Sequence, residues 1–132
     1  MKNFILTLLI LSTSLCAELK NEYLSKKLID SKIPIVDIRT VGEWKETGIL
    51  RGSIALEFFN EKGEYNIPLF LKELNKKVDT TKPFALICRT GSRTSMVSAY
   101  LVDTYNYKVT NVKGGIMIHN MKKENMDFVQ YK

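Results

Sequence analysis

A cysteine at the start of a short polar segment is the residue in this sequence best suited to covalent chemistry. Cys88 directly follows the apolar stretch 84–87. The segment after it consists of Arg89, Thr90, Gly91, Ser92, Arg93 and Thr94. We expect a buried strand to deliver the thiol to this loop, with a helix behind it whose N-terminal N–H groups favour negative charge. Because the two arginines add positive charge, the sequence favours a thiolate nucleophile that acts on a small anion.

The alternative is a buried structural cysteine, the more common fate of a free cysteine. The polar, cationic neighbours of Cys88 argue against that interpretation. The chain has one other cysteine, Cys16, which lies in a segment expected to be removed. Cys88 would then be the lone cysteine of the mature chain, and an internal disulfide is excluded.

The N-terminal residues have the layout of a secretory signal peptide. Lys2 precedes an apolar run at 4–11, and small residues follow before Glu18. The apolar run is too short to span a bilayer. We predict a signal peptide at residues 1–17, cleaved after Ala17 or Cys16, and export to a periplasm or similar compartment; lipidation of Cys16 is the alternative. No stable membrane span is expected after its removal.

The composition limits the classes of partner. A chain of 132 residues has room for one domain. Its net charge is +6, and loss of Lys2 with the signal peptide lowers it to +5. The lysines are scattered and form no basic stripe with aromatic residues, so we expect no nucleic-acid partner. No metal-ligand spacing surrounds the single histidine, His119, which we interpret as a packing residue. No cofactor is predicted.

The remaining sequence predicts the elements that position the Cys88 loop. Helices are expected from near Asn21, at 40–47, from Ile67 and at 95–103, and Thr40 with Glu43 forms a capping box. Strands are expected at 33–38, 53–58, 84–87 and 107–112, and the double glycine at 114–115 opens a turn into a final short helix. This alternation predicts an α/β fold, a central parallel sheet with helices on both faces. Ligands bind at the carboxyl ends of such strands, where Cys88 lies.

Three segments resemble the signatures of rhodanese-like sulfurtransferases. The Cys88 loop resembles their active-site loop, and residues 112–116 resemble their closing double-glycine turn. Asp37-Ile38-Arg39, followed by Glu43-Trp44 and the glycine turn at 48–53, resembles their first signature. The resemblance covers roughly residues 22–131, which we interpret as one rhodanese-like domain. The sequence departs from the family at Ile49, where many members have histidine, at one extra residue between Trp44 and Gly48, and at His119, where an aromatic residue is common.

The resemblance implies a sulfurtransferase of the thiosulfate type. Cys88 would take a sulfane sulfur from thiosulfate or a similar anionic donor, hold it as a persulfide, and pass it to a thiol or a protein acceptor. The amides of residues 89–94 would hold the outer sulfur, and Arg89 would recruit the donor's sulfonate. Arg93 would brace the loop against a carboxylate, Asp37 or Glu43. The supporting residues are Asp37, Arg39 and Glu43.

Two other functions remain open from the sequence. Cysteine phosphatases and arsenate reductases have similar loops with one more residue between cysteine and arginine. Here four residues separate Cys88 from Arg93, and the shorter loop would suit a single sulfur atom better than a tetrahedral oxyanion. A non-catalytic module of the same fold, which carries sulfur or binds a partner, is the second alternative; such modules usually lack the cysteine.

Overall fold

The computed structural model describes residues 16–118 and 125–132. Its elements are, in chain order, β1 (Glu18–Tyr23), α1 (Lys26–Asp30), β2 (Ile35–Asp37), α2 (Val41–Thr47), β3 (Ile49–Leu50), β4 (Ile54–Ala55), α3 (Ile67–Lys77), β5 (Phe84–Ile87), α4 (Ser92–Tyr105), β6 (Lys108–Lys113) and β7 (Phe128–Val129). No helix among the described residues is long and apolar enough to cross a membrane. The predicted signal sequence up to residue 15, and His119, lie outside the described residues.

A five-stranded parallel sheet forms the centre of the domain, in the order β1-β6-β5-β2-β4. The central strand, β5, pairs with β6 on one side and with β2 on the other, where Ile87 lies opposite Asp37. Cys88 is the next residue after this strand. The chain therefore places the thiol in the middle of the carboxyl edge of the sheet.

Both faces of β5 are buried, because the strand alternates its side chains between two apolar cores. Phe84 and Leu86 pack in a core that includes side chains of α3 and α4, such as Leu74 and Leu101. Ala85 and Ile87 pack in a second core on the other face, with Leu24, Leu28 of α1, Leu50 of β3 and Met126. The predicted α/β fold, a parallel sheet with helices on both faces, is confirmed.

The predicted helix from near Asn21 is wrong. Glu18–Tyr23 forms the edge strand β1, which pairs in parallel with β6, and α1 begins only at Lys26 after the N-cap Ser25. All six residues of β1 are exposed. The sequence signal for a half-buried strand is the alternation of apolar and polar residues, and a fully exposed strand does not require it. The first strand of the central sheet begins at Glu18.

The elements around the thiol match the predictions more closely. The capping box of α2 is present, since Thr40 Oγ1 accepts from the Glu43 N–H and Glu43 Oε2 accepts from the Thr40 N–H. Gly48 ends α2 with a φ of 75°. Helix α4 begins at Ser92, three residues earlier than predicted, so the second half of the polar segment after Cys88 is its first turn. A small antiparallel sheet of β3 and β7 was not predicted.

Candidate active site

The Cys88 sulfur is enclosed by its own loop. Cys88 has 0% of its surface exposed. The Gly91 N–H donates a hydrogen bond of 3.1 Å to Sγ, and Thr94 Oγ1 lies 3.6 Å from Sγ. The burial is what a structural cysteine would show. However, the sulfur meets a backbone N–H and a hydroxyl group, which are the partners that a sulfur anion requires.

Gly91 gives the loop its tight shape. Its φ is 93°, a backbone conformation that favours glycine. A Cβ at this position would lie 2.7 Å from the Gly114 nitrogen, so a side chain has no room. Gly91 is also the N-cap of α4, and no side chain caps this helix. Because the first N–H groups of a helix have no partner within it, the start of α4 offers donors to an anion beside Cys88.

The double-glycine turn holds the loop from the other side. The Ile116 N–H donates to the Cys88 carbonyl, and the Met117 N–H donates to the Arg89 carbonyl, both at 3.0 Å. A Cβ at Gly115 would meet the Cys88 carbonyl oxygen and the Arg89 carbonyl group. The turn therefore lies directly against the backbone of the first two loop residues and fixes the orientation of their carbonyl groups.

Arg93 braces the loop against helix α2. Its two terminal nitrogens donate to the two carboxylate oxygens of Glu43, each at 2.7 Å. The Arg93 guanidinium is the main reason why the pKa of Glu43 is lowered to about 2; the Thr40 N–H also contributes, and burial opposes the shift. Of the two carboxylates expected to receive Arg93, the structure pairs it with Glu43.

Asp37 and Arg39 form a buried network beneath α2. The Arg39 side chain is fully buried; it donates to Asp37 and, at 2.8 Å, to the Gly48 carbonyl. It also donates to Thr47 Oγ1 at 2.7 Å, and the Trp44 indole N–H donates to Asp37 at 3.1 Å. Among the described residues, none of these bonds reaches the Cys88 loop. This network joins the start and the end of α2 to the end of β2.

Arg89 is the exposed cation of the loop. It borders a cavity of about 390 Å³ whose other walls include Glu46, Met117 and Met126. Thr90 and Ser92 are also exposed, with their hydroxyl oxygens 3.3 Å apart. Among residues 16–118 and 125–132, no group of three or more His, Cys, Asp or Glu side chains is placed to hold a metal ion.

Three contributors to the site are not predicted from the sequence. Trp44 and Thr47 bind the Asp37–Arg39 network, and the backbone of residues 116–117 binds the loop carbonyls. Trp44 belongs to the first signature, but the resemblance implies no role for it. The double-glycine turn is part of a signature, but the sequence does not show which of its backbone N–H groups bind the loop carbonyls. Thr47 binds Arg39, eight positions earlier, and no sequence pattern identifies that contact.

Comparisons with known proteins give a consistent result. The family model described as the rhodanese-like domain matches residues 20–118. The chain is similar to a sulfurtransferase of Allochromatium vinosum, with 31% identity over 101 residues, 76% of this chain and 84% of that protein. It is also similar to rhodanese-like domain-containing protein 17 of Arabidopsis thaliana, with 28% identity over 94 residues, 69% of this chain and 60% of that protein. A crystal structure of a rhodanese-like domain protein from Staphylococcus aureus superposes with a TM-score of 0.59 at 23% identity, covering 84% of this chain and 99% of that one.

Proposed function

This chain belongs to the rhodanese-like domain family, and we propose that it is a sulfurtransferase that carries a sulfane sulfur on Cys88. The observation that supports the proposal most directly is the hydrogen bond from the Gly91 N–H to Cys88 Sγ, at the N-terminus of α4. A backbone donor and a helix N-terminus both stabilise negative charge on that sulfur. The sulfurtransferase relative supports the same reaction class.

In the first half-reaction, the donor is thiosulfate or a similar anion with a terminal sulfur. The Cys88 thiolate attacks the outer sulfur and forms a new S–S bond. The bond between the two sulfurs of thiosulfate breaks, and its electron pair leaves with sulfite. Cys88 then carries a persulfide anion. No external oxidant, reductant or general base is required, since nucleophile and leaving group are both already anionic.

The loop supplies binding groups for each stage. Arg89 is an exposed residue of the loop, and its positive charge attracts the donor's sulfonate. The N–H groups at the start of α4 hold the outer sulfur of the persulfide, as an oxyanion hole holds an oxygen. Because Cys88 has no exposed surface, a donor reaches Sγ only after groups of the surrounding loop move.

In the second half-reaction, a thiophilic acceptor attacks the outer sulfur of the persulfide. The S–S bond to Cys88 breaks, its electron pair returns to Sγ, and the acceptor leaves with the sulfur. The two half-reactions predict ping-pong kinetics. The acceptor is a thiol or a protein, and cyanide serves in its place in an assay.

Intact mass spectrometry tests the proposal. After incubation with thiosulfate and removal of the excess, the protein should gain the mass of one sulfur atom, and Cys88→Ser should not. Addition of cyanide should remove the gain. Absence of any gain in the wild type would contradict sulfur transfer. Turnover of an aryl phosphate without any reaction with thiosulfate would instead assign the phosphatase function.

One observation favours a second candidate, a non-catalytic module that binds a partner or carries sulfur. Cys88 is completely enclosed, and a module that does not react has no need to expose its thiol. The same mass measurement separates the two functions. A protein that loads sulfur from thiosulfate and releases it to cyanide or to a thiol is a transferase. One that loads sulfur and does not release it is a carrier, and one that never loads sulfur is a binding module.

We further propose that the protein is exported to a periplasm or a similar compartment. The signal peptide expected at residues 1–17 ends immediately before Glu18, where β1 begins. Cleavage after Ala17 would therefore remove no residue of the sheet.

A further inference from the structure

A second groove lies on the same edge of the sheet as the Cys88 loop. We call it the Tyr65 groove; its volume is about 460 Å³, and it lies between the segment after β4 and the first turns of α3. The lining residues that matter here are Glu57, Phe58, Glu64, Tyr65, Leu69 and Glu73. None of these side chains has a part in the reaction proposed above.

Exposed apolar side chains form the walls of the Tyr65 groove. Tyr65 is 60% exposed and Leu69 is 55% exposed. The Tyr65 ring stacks on Phe58 with centroids 5.7 Å apart, and Phe58 packs edge-on against Phe70 at 4.8 Å. An exposed aromatic ring on a buried aromatic floor is typical of a surface that binds a partner.

The groove is already ordered without a partner. Asn60 Oδ1 accepts from the backbone N–H groups of Lys62 and Glu64, both at 2.9 Å. The Asn60 amide also donates to Glu64 Oε2 at 2.9 Å, and the Gly63 N–H donates to the Asn60 carbonyl at 2.9 Å. This network closes the turn that leads into Tyr65. Binding therefore requires little ordering of the loop, which favours affinity.

Backbone bonds connect the groove to the Cys88 loop. The Phe58 N–H donates to the Ile38 carbonyl, and the Ile38 N–H donates to the carbonyl of Ile87, the residue before Cys88. Strand β4 is two strands away from β5, so about 10 Å separates the groove's strand from the strand that carries the thiol. In addition, Glu57 accepts from the Val41 N–H of α2, the helix that holds Arg93 through Glu43.

The charge of the groove is opposite to that of the chain. Glu57, Glu64 and Glu73 line it, and no lysine or arginine does. Glu73 forms an ion pair with Lys76 at 3.0 Å, whereas Glu64 is exposed. The whole chain has a net charge of +6. A cationic segment is therefore attracted to this groove, although the chain as a whole is positively charged.

We propose that the Tyr65 groove docks the sulfur acceptor, and that this acceptor is a protein segment with a cysteine, an apolar side chain and neighbouring lysine or arginine residues. The inference rests on the proposed sulfur transfer. The apolar side chain packs on Tyr65 and Leu69, the cations pair with the glutamates, and the cysteine extends to the Cys88 loop. The donor anion binds beside Arg89, so donor and acceptor are recruited by opposite charges.

Docking places the acceptor for the second half-reaction. The thiolate of the segment attacks the outer sulfur of the Cys88 persulfide. The S–S bond to Cys88 Sγ breaks with its electron pair returned to Sγ, and a persulfide forms on the partner. The proton of the partner's thiol goes to solvent before the attack. No net oxidation takes place.

Two synthetic peptides test this proposal. Each has one cysteine and several leucines; one has lysines at its charged positions and the other has glutamates. The full-length mature protein is first loaded with thiosulfate, and the loss of sulfur from Cys88 is followed by intact mass against peptide concentration. At low salt, we expect the second-order rate constant for the lysine peptide to exceed that for the glutamate peptide by at least about tenfold. At high salt, the two rate constants should become similar, because salt screens the charges.

Variants separate docking from the intrinsic reactivity of the peptide thiols. Leu69→Lys places a cation in the groove, and Glu64→Gln removes one carboxylate while it keeps an acceptor for Asn60. Leu19→Lys is the matched control. Leu19 is 42% exposed and lies on β1, the outermost strand on the other side of the sheet from β4. The preference for the lysine peptide should fall in both groove variants and persist in the control. The intrinsic difference in reactivity between the two peptide thiols is the same for the wild type and every variant. It therefore cancels when the ratio of the two rate constants is compared between proteins.

The possible failures are distinguishable. If the wild type never loads sulfur, the proposed function itself is wrong. If it loads sulfur but Leu69→Lys and Leu19→Lys retain the same peptide preference, sulfur transfer stands and the docking proposal is overturned. If sedimentation detects a dimer of the wild type that Leu69→Lys dissociates, the groove belongs to a second copy of the chain, and this result also overturns the proposal.

Discussion

Arg93 and Glu43 form a two-bond ion pair that joins the first turn of α4 to the first turn of α2, with both N–O distances at 2.7 Å. The two residues are 50 positions apart in the chain. Glu43 also closes the capping box of its own helix. One carboxylate therefore serves two purposes: it starts α2, and it fixes the helix whose N-terminus lies behind the Cys88 sulfur.

Glu43→Gln should destabilise the protein in a pH-dependent manner. The pKa of Glu43 is lowered from 4.5 to about 2, so its contribution to stability is complete above pH 4.5 and is lost as the pH falls towards 2. After allowance for solvent screening, we expect a loss of about 1–2 kcal/mol at pH 7. Urea unfolding at pH 7 and at pH 3 measures it. A difference between wild type and variant that does not shrink at pH 3 would contradict this account.

The two loop arginines should differ in their kinetic effects. Arg89→Ala removes an exposed cation and should raise the KM for thiosulfate roughly tenfold with little change in stability, since a hydrogen bond to a charged group contributes about 1.5–3 kcal/mol. Arg93→Ala removes the brace of the loop and should lower both kcat and the unfolding temperature. Steady-state kinetics with thiosulfate and cyanide, with thermal melts, test this. Equal effects of both variants on KM alone would refute the division of roles.

Gly91→Ala should destabilise the domain and abolish sulfur loading. The substitution introduces a side chain at a φ of 93°, where it meets the Gly114 nitrogen at 2.7 Å. We expect a loss of roughly 1–3 kcal/mol from backbone strain, with the clash in addition. Gly63→Ala is the matched control, because Gly63 has a φ of 77° but nothing within 4 Å of a Cβ. Similar losses of stability in the two variants would show that the contact with Gly114 is unimportant.

Asp37→Asn should be strongly destabilising. It removes the charge that pairs with Arg39, and both side chains are 1% exposed. An unpaired buried arginine is expected to reduce the free energy of unfolding by about 3–5 kcal/mol. The fraction of variant that folds should still load sulfur, because Asp37 has no hydrogen bond to the Cys88 loop among the described residues. Chemical denaturation together with sulfur loading per folded molecule measures both effects, and a stable but inactive variant would assign Asp37 to the chemistry.

Export predicts a defined N-terminus for the native protein. Protein isolated from its own cells should begin at Glu18, or at Ala17 if cleavage follows Cys16. Intact mass together with N-terminal sequencing distinguishes these products from the full chain. A native protein that begins at Met1 would contradict the signal peptide, and a mass increased by acyl chains on Cys16 would support lipidation.

The predictions from sequence succeeded where the cause is local. The Thr40–Glu43 capping box follows from two residue types three positions apart, and β5 follows from four consecutive apolar residues before a polar loop. The helix predicted at 95–103 starts three residues too late, because the residue types of Ser92 to Thr94 are typical of a loop. Its actual start follows Gly91, the N-cap, whose φ is 93°, and the Gly114 backbone leaves no room for a side chain there.

The predictions failed or remained open where a feature depends on contacts between residues far apart in the chain. Strand β1 has no buried residue, and only its pairing with β6, 90 positions along the chain, makes it a strand. The choice between Asp37 and Glu43 as the partner of Arg93 depends on which carboxylate is already occupied, and Arg39 occupies Asp37. The complete burial of Cys88 is equally a tertiary property, since no residue type in the loop specifies it.

The bonds from the backbone of Ile116 and Met117 to the carbonyls of Cys88 and Arg89 have a consequence for biosynthesis. A nascent chain presents the cysteine long before the residues that shape its surroundings have been translated. Until Met117 emerges, the thiol is an ordinary one in an unfinished polypeptide, without the enclosed environment that distinguishes it afterwards. The enclosed environment of Cys88 is thus among the last features of the domain to be completed.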